Sequence, residues 1–288
     1  MPVRLAYVIS AFKLPRDLIR LSKRLAADGE PVVVHVDART PARVYEEMTR
    51  GLEALPNVHF VERHRSPYAS YGHVRATLKG LEHLSRRGEP YDFVVLLTGQ
   101  DYPIKPLAET RASLEPARSQ TFMQHFPLPE PSWHRGGQWR LERWHFNTPH
   151  GLHAVKRRWL RPLVMQELPY GLAPHGGSSY WTMSRHHADY VLDFLESHPL
   201  YTRYFRRVGI PDEIFFQTIL MNSPHASEVV NDSQRYVDWT RAEVPAIFDS
   251  SDLDTLLARP EPFARKFDSS RDDAVLDALD GLDPALAR

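Results

Sequence analysis

A short polar segment follows the most apolar run of the chain and could bind a ligand. Residues 93–97 read Phe-Val-Val-Leu-Leu, which is typical of a strand buried on both faces, and Gly99, Gln100 and Asp101 come directly after it. In open α/β sheets, ligands bind at the carboxyl ends of strands. There a glycine lets a ligand approach the backbone, and the two polar side chains could hydrogen-bond it. The alternative is an ordinary strand-terminal turn.

A histidine and an aspartate end the second apolar run. Residues 32–36 read Val-Val-Val-His-Val, and Asp37 follows them. In a nucleotide-binding α/β domain, an acid at this place can hydrogen-bond the ribose or the base. The alternative is a turn aspartate beside a half-buried His35.

A second pair of acids follows Pro211 and begins a predicted helix over residues 212–221. Asp212 suits the N-cap, and Glu213 falls in the first turn. Helix capping alone explains both residues, but Glu213 could also project into a cleft as a general base. The helix dipole changes its pKa by less than about one unit, whereas burial can change it by several units in the opposite direction.

Cations are concentrated between two phenylalanines near the end of the chain, where Arg265 and Lys266 are adjacent. They form either a solvated loop or a diphosphate site, with arginine binding through two nitrogens and lysine as a point charge. Arg235 and Arg241, which lie on either side of Trp239, could add to the same site.

The irregular middle of the chain, residues 126–180, is rich in Pro, Trp, His, Arg and Gly. Sugars pack their C–H faces on aromatic rings, so this segment could bind a sugar. Tyr180 and Trp181, which follow a turn of small residues, are either core residues or such a platform. The candidate sugar-contacting residues are Ser178, Tyr180, Trp181, Asp212, Trp139 and Trp239.

Two other sequence patterns are not assigned a function. The basic stretch Lys156–Arg161 is typical of a solvated helix face, with an anionic acceptor or lipid phosphate as the weaker alternative. His186 and His187, with Asp189, resemble a metal site only weakly, because adjacent residues of a helix point to different sides. No metal ligand is therefore predicted.

The elements that must position these residues alternate between strand and helix over the first hundred residues, which predicts a parallel α/β sheet. We expect a single domain over residues 1–268, with one half to about residue 125 and the other over about 126–268. Residues 269–288 are predicted to form a peripheral helix or tail.

The amino-acid composition excludes several kinds of site and partner. The 288 residues contain 36 Lys and Arg, 36 Asp and Glu, and no cysteine. Zero net charge gives no global field for nucleic acid, and the lack of cysteine excludes disulfides, thiolate zinc sites and cysteine nucleophiles. No apolar run is long enough for a signal peptide or a membrane span. A cytoplasmic protein is expected.

Seven stretches resemble the core-2/I-branching enzyme family (glycosyltransferase family 14) and occur in the same order as in that family. The family includes β-1,6-N-acetylglucosaminyltransferases and peptide O-xylosyltransferases. The stretches are 35–37, 71–73, 96–106, 177–184, 211–223, 235–239 and 263–268. The resemblance implies a GT-A-type fold, with a Rossmann-like nucleotide-binding half and a mixed acceptor-binding half. It implies inverting transfer of a sugar, N-acetylglucosamine or xylose, from a UDP-sugar to a hydroxyl group.

The resemblance also implies roles for particular residues, and it makes the candidate sugar-contacting residues, and with them the segment 126–180, the predicted acceptor contacts. Glu213 matches the general base of the family, and Lys266 matches its diphosphate-binding lysine. No divalent metal is expected, because the strand end at Asp101 offers a single acid. The spacing for the partner arginine falls on Glu243, so Arg241 is the nearest substitute and Arg235 and Arg265 are alternatives. The nucleotide-sugar residues are then His35, Asp37, Gly99, Gln100, Asp101, Arg235, Arg241, Arg265 and Lys266.

This chain differs from the animal members of the family, which have membrane anchors and disulfides, and is similar to a bacterial cytoplasmic relative. The expected partners are a UDP-sugar and a glycan, lipid-linked or small-molecule acceptor. The competing hypothesis is a catalytically inactive nucleotide- or glycan-binding module, but Glu213 and Lys266 are both present. A generic nucleotide hydrolase is disfavoured, since neither a G-x-x-x-x-G-K loop nor a G-x-S-x-G elbow occurs.

Overall fold

The computed structural model describes residues 2–148, 151–154, 167–242 and 244–283. The strands are β1 (Leu5–Ala11), β2 (Val32–Val36), β3 (Val58–Phe60), β4 (Phe93–Thr98), β5 (Asp101–Pro103), β6 (Thr121–Met123), β7 (Phe126–Pro127), β8 (His145–Thr148), β9 (Gly151–Ala154), β10 (His175–Gly176), β11 (Trp181–Ser184), β12 (Val229–Val230), β13 (Arg235–Val237) and β14 (Phe263–Arg265). The α-helices are α1 (Pro15–Ala26), α2 (Ala42–Arg50), α3 (Tyr71–Arg87), α4 (Leu107–Leu114), α5 (Arg185–Ser197), α6 (Pro199–Phe205), α7 (Phe215–Met221), α8 (Leu253–Ala258) and α9 (Ala274–Asp280).

The central sheet has the strand order β12-β6-β11-β4-β1-β2-β3 within the described residues. Strands β3, β2, β1 and β4 are parallel, and α1, α2 and α3 connect them in sequence. Their apolar runs are buried because helices cover both faces of a parallel sheet. Strand β11 then pairs antiparallel with β4. The predicted α/β class and the Rossmann-like first half are confirmed.

Two apolar cores flank this sheet. On one side, α1 and α9 pack with Phe263 and Phe267 against side chains of β1 and β2. On the other side, α3, α5 and α7 pack against the alternate side chains of the same strands. The central strands are therefore fixed from both faces, and their carboxyl ends form a rigid base for a site.

A small second sheet lies directly beyond the end of β4. Its order is β13-β14-β5, and it is reached through Gly99 and Gln100. The register places Asp101 opposite Arg265 and places Arg235 opposite Phe263. Segments more than 130 residues apart in sequence thus meet at the carboxyl edge of the parallel sheet.

The described part of the C-terminal segment is not peripheral, and that prediction is wrong. Helix α9 buries three aliphatic side chains in the core beside α1. Buried Arg24 of α1 forms ion pairs with Asp280 and Asp283, and Arg20 pairs with Asp280 as well. The acidic residues of this segment suggested a solvated tail, but they neutralise arginines of α1 instead.

The helix expected over residues 212–221 is divided in two. Pro211–Glu213 forms a 3₁₀ turn, and α7 begins only at Phe215. Ile214 between them has φ −135°, which is outside the helical region, and no side chain caps α7. The predicted N-cap role of Asp212 is therefore wrong. Among the described residues, no helix is both long enough and apolar enough to cross a membrane.

Candidate functional site

Three basic side chains surround one carboxylate at the end of β4. Arg265 Nε lies 3.7 Å from Asp101 Oδ1, and Asp101 Oδ2 accepts a hydrogen bond from Thr98 N. Arg235 donates from Nη2 to the carbonyl of Leu96 at 3.0 Å. The third cation, Lys266, follows Arg265 directly. We name Arg235, Arg265 and Lys266 the cation cluster.

The cation cluster carries more positive charge than its one acidic neighbour, Asp101, can balance. Nε and Nη1 of Arg235 and Nε of Arg265 are buried and make no hydrogen bond. Burial lowers the pKa of Arg235 to about 10, so this arginine is still protonated at neutral pH. Burial, together with the positive charges of Arg265 and Lys13, lowers the pKa of Lys266. Excess positive charge with free guanidinium nitrogens suits an anion with several oxygens, such as a diphosphate.

Tyr180 joins this cluster through its ring. The guanidinium carbon of Arg265 lies 4.5 Å from the centre of the ring, and that of Arg235 lies 5.6 Å from it. The aromatic face stabilises both cations. Tyr180 thus contacts the cation cluster, whereas its neighbour Trp181 is fully buried.

Glu213 lies on the 3₁₀ turn and forms an ion pair with Arg140. Arg140 Nη1 donates to Oε2 of Glu213 at 2.5 Å, and the carboxylate side chain remains 31% exposed. Within the described residues, Oε1 accepts no hydrogen bond. Burial raises the pKa of Glu213, Arg140 opposes this effect, and the nearby charge of Asp212 adds to it. One oxygen is therefore oriented and the other is open to a substrate proton.

Arg140 is held in place by tryptophans. Its guanidinium lies 3.8 Å from the ring of Trp133 and 5.8 Å from that of Trp139. Trp139 therefore lies near the arginine that binds Glu213, in the region where the sequence predicted acceptor contacts. Sequence reasoning missed Arg140, although its place next to Trp139 in an aromatic segment was a usable signal.

Residues 177–180 connect the Glu213 turn to the cation cluster. Gly177 N donates to the carbonyl of Glu213 at 2.9 Å, and Ser179 Oγ donates to Asp212 Oδ2 at 2.9 Å. A Cβ at Gly177 would lie 1.8 Å from a backbone oxygen of Gln124, so only glycine fits there. The same segment continues to Tyr180. Ser178 itself is bonded internally, since its carbonyl accepts from Gln217 Nε2 and its Oγ accepts from Tyr180 N.

Asp37 is held by a neighbouring arginine, and His35 is sealed in the core. Burial alone would raise the pKa of Asp37, but hydrogen bonds from Arg39 and from Ser66 N outweigh burial and lower it. His35 is 0% exposed, its ring lies against that of His64, and its Nε2 accepts from His64 N. Direct nucleotide contact by His35 is therefore not what the structure shows, and its role is to pack behind Asp37.

Gly99 and Gln100 shape the site rather than face a ligand. Gln100 Nε2 donates to the carbonyl of Phe267 at 3.0 Å, and Phe267 N donates back to the carbonyl of Gln100. Gly99 N bonds to the carbonyl of Ser10. These bonds fix the backbone that carries Lys266.

Two predicted site residues have other partners. Arg241 pairs with Asp238 and, through two nitrogens, with Asp252, so it is not available as the diphosphate arginine. Asp252 is occupied by the same pairing. Trp181 is fully buried against Phe216, so its predicted acceptor contact is also wrong.

Two positions from the sequence analysis, Glu243 and the stretch 156–161, lie outside the described residues. Trp239 is described, and it is exposed beyond β13.

The loop after β1 adds two residues that the sequence did not indicate. Lys13 contributes positive charge at Lys266, and Phe12 beside it is 57% exposed. The end of the strand Leu5–Ala11 could have signalled them, because β1 and β4 are adjacent parallel strands. The loop after β1 thus adds positive charge beside the cation cluster.

One family model matches most of the chain. Residues 5–255 match the family model of the Core-2/I-Branching enzyme. The chain is 26% identical over 303 residues to xylosyltransferase 2 of Mus musculus and 24% identical over 302 residues to xylosyltransferase 1 of Rattus norvegicus, with 97% of this chain covered in each. It spans about a third of the length of these relatives (33% and 35%). The crystal structure of S. aureus TarS 1-349 aligns with a TM-score of 0.40 and 13% identity, covering 79% of this chain and 57% of that one.

Proposed function

The chain belongs to the core-2/I-branching enzyme family, and from this premise we propose that it is an inverting glycosyltransferase. It transfers a sugar from a UDP-sugar to a hydroxyl group of a glycan, a lipid-linked glycan or a small-molecule acceptor. The xylosyltransferase relatives favour xylose as the sugar, with N-acetylglucosamine as the other candidate. The observation that carries the proposal is the cation cluster, whose buried nitrogens lack partners at the edge where α/β sheets bind ligands.

The diphosphate of the donor would occupy the cation cluster. Arg235 and Arg265 can donate through several nitrogens, and Lys266 supplies a point charge. As the bond to the sugar breaks, negative charge grows on the departing UDP, and fixed cations stabilise that charge without reorganising. This role belongs to Arg235 and Arg265 in place of Arg241, which the sequence favoured.

Glu213 would remove the proton of the acceptor hydroxyl while that oxygen attacks the anomeric carbon. The carbon–oxygen bond to UDP breaks on the opposite face, which inverts the configuration. Arg140 holds Oε2, so Oε1 receives the proton. A general base of this kind typically contributes a factor of about 10² to 10⁴ to the rate.

We propose that no divalent metal takes part in the transfer. Asp101 is a single acid, and both of its oxygens face protein donors or the guanidinium of Arg265. Among the residues described, the group of side chains suited to a metal ion lies elsewhere, around His187. The cations at the strand end therefore do the work that a metal ion does in other transferases.

A thermal-shift titration in EDTA tests the proposal. UDP, UDP-xylose and UDP-N-acetylglucosamine are compared with ADP and GDP, using the wild type, Lys266→Ala and the matched variant Lys105→Ala. A ligand at 100 times its Kd stabilises the fold by about 2.7 kcal/mol. We expect selective stabilisation by UDP and one UDP-sugar in the wild type and in Lys105→Ala. Losing one charged hydrogen bond, about 1.5–3 kcal/mol, should weaken binding by about 10- to 100-fold in Lys266→Ala.

Three outcomes would change this conclusion. No shift with any uridine nucleotide would contradict the donor assignment. A shift that appears only with manganese would remove the role given to Lys266. Binding of a UDP-sugar with no turnover on any acceptor would support the non-catalytic binding module.

A further inference from the structure

Three histidines and a glutamate meet at the edge of the central sheet, far along the strand order from the cation cluster. His186 and His187 lie in the first turn of α5, and His225 and Glu228 lie on the turn that leads into β12. One ligand atom from each of the four residues falls within 4.8 Å of all the others. We name these four residues the histidine cluster.

The spacing of these atoms fits a small tetrahedral ion. A zinc ion about 2.0–2.1 Å from four ligands separates those ligands by about 3.3 Å. His187 Nε2 lies 3.2 Å from Oε2 of Glu228, and His186 Nε2 lies 3.3 Å from Nδ1 of His225. His225 Nδ1 is 3.8 Å from Oε1 of Glu228. The other ligand atoms lie within 4.8 Å of one another, so a bound ion would draw some of them closer together.

His187 is the buried member of the histidine cluster. Its side chain is fully buried, and its Nε2 points into the cluster towards Oε2 of Glu228, 3.2 Å away. The other ring nitrogen, Nδ1, is bonded to Thr121 Oγ1 at 2.7 Å and to Ser184 Oγ at 3.0 Å. When Nδ1 carries the proton and donates it to one of these hydroxyls, Nε2 presents its lone pair to the cluster. Outer partners of this kind orient a metal-binding imidazole.

We propose that the histidine cluster binds one divalent transition-metal ion of the zinc class, separate from the sugar-transfer site. Nitrogen donors with one carboxylate suit zinc better than magnesium or calcium. The ion joins the start of α5 to the turn before edge strand β12, so its role is to hold the edge of the sheet. The prediction that His186 and His187 bind no metal considered a single helix, and the other two ligands are near only in the fold.

The test is zinc binding by the full chain after treatment with a chelator. A competing chromophoric chelator gives the Kd, and elemental analysis gives the stoichiometry. We expect one zinc per chain, a rise in Tm on adding zinc, and affinity weakened by about 100-fold or more in His225→Ala and in Glu228→Gln. The matched control His73→Asn removes a histidine outside the cluster and should bind as the wild type does.

Cobalt substitution adds a readout that a structural change alone would not produce. Tetrahedral Co²⁺ gives intense visible absorption, which should be present in the wild type and absent in His225→Ala, even where circular dichroism shows both variants folded. Absence of stoichiometric zinc binding in the wild type would overturn the proposal. Equal zinc affinity in His225→Ala, Glu228→Gln and wild type would overturn it too, since binding would then occur elsewhere.

The zinc-binding experiment and the test of the proposed function can succeed or fail independently. Nucleotide binding by a Glu228→Gln variant tests the cation cluster whether or not zinc binds. If EDTA reduces sugar transfer, the loss should follow the fall in Tm and disappear at lower temperature. Zinc binding with no uridine-nucleotide binding would support this site and contradict only the transfer proposal.

Discussion

Glu213 and Arg140 form a pair in which burial and charge act in opposite directions. Burial raises the pKa of the carboxylate, which makes it a better base, while Arg140 lowers that pKa and fixes one oxygen. A base that must be ionised at neutral pH and still accept a proton benefits from this balance. The reactivity of the proposed site therefore depends on a contact between residues 73 positions apart.

Glu213→Gln should reduce kcat by about 10²- to 10⁴-fold and leave the affinity for UDP unchanged. The amide keeps an oxygen that can accept from Arg140, so the turn should remain folded, but the amide cannot accept the substrate proton. Sugar transfer to the identified acceptor and titration with UDP measure the two effects. Glu53→Gln, at an exposed position, is the matched control. Turnover near the wild-type rate in Glu213→Gln would remove Glu213 as the base.

Arg140→Met should move the acidic limb of the kcat profile to higher pH. Arg140 lowers the pKa of Glu213, so without it that pKa rises further above its ordinary value. The base is active only when deprotonated, so activity at a given acidic pH should fall, and it should recover as the pH rises. Methionine keeps an apolar contact with Trp133. Arg143→Met provides the comparison, and an acidic limb that stays in place or moves to lower pH would contradict the role of Arg140.

At the scale of elements, the small sheet and residues 177–180 assemble the site. β13 and β14 bring Arg235 and Arg265 to the end of β4, and residues 177–180 link Tyr180 to the Glu213 turn. The sequence predicted the strands of the parallel half, because their apolar runs are local signals. It did not predict the break at Ile214, because tertiary contacts hold the preceding turn, with Ser179 bound to Asp212.

Helix α9 should be required for stability. Leu279 is fully buried in the core beside α1, so Leu279→Ala should lower the free energy of unfolding by about 2–5 kcal/mol. Leu257→Ala, at a position that is 36% exposed, should cost less than about 1 kcal/mol. Urea denaturation measures both values. Similar small losses in the two variants would mean that α9 is peripheral after all.

Deleting residues 269–288 should prevent cooperative folding. Losing three buried aliphatic side chains, at about 1.5–3 kcal/mol each, approaches the whole stability of a typical domain, about 5–15 kcal/mol. It also leaves Arg24 buried without Asp280 and Asp283, at a cost of about 3–5 kcal/mol. The shortened chain should not give a cooperative unfolding transition, and a transition like that of the full chain would contradict the packing of α9.

Across the molecule, the sequence predicted features whose residues are adjacent along the chain and missed those that join separate segments. The ends of β2 and β4 were identified because strand and polar residues are adjacent there. The pairing of Arg140 with Glu213, of Arg241 with Asp252, and of His187 with Glu228 connects segments that no local pattern relates. The pairing of Arg241 explains why Arg235 and Arg265 replace it as proposed diphosphate ligands, and the pairing of His187 reveals the histidine cluster. Long-range contacts thus decide which charged residues remain available for chemistry.

Acid should destabilise the whole fold partly through His35. Burial, with the nearby charge of His64, lowers the pKa of His35 to about 3, while Asp37 opposes the shift and Lys79 and His73 add to it. The ordinary histidine pKa of about 6.5 applies to the unfolded chain. Below that pH the unfolded chain binds a proton that the folded chain excludes, so stability is complete above about pH 6.5 and falls as the pH decreases towards 3.

The contribution of His35 can be separated from that of other titrating groups by a difference between variants. Each pH unit in this window costs about 1.4 kcal/mol for one such group, so His35 removes about 2 kcal/mol between pH 7 and pH 5. In His35→Asn the loss of unfolding free energy over that interval should be smaller by about this amount, even if the variant is less stable at pH 7. His134→Asn, at an exposed position, should keep the wild-type loss. If His35→Asn loses as much stability as the wild type, His35 takes up its proton in the folded state, and the seal behind Asp37 must open in acid.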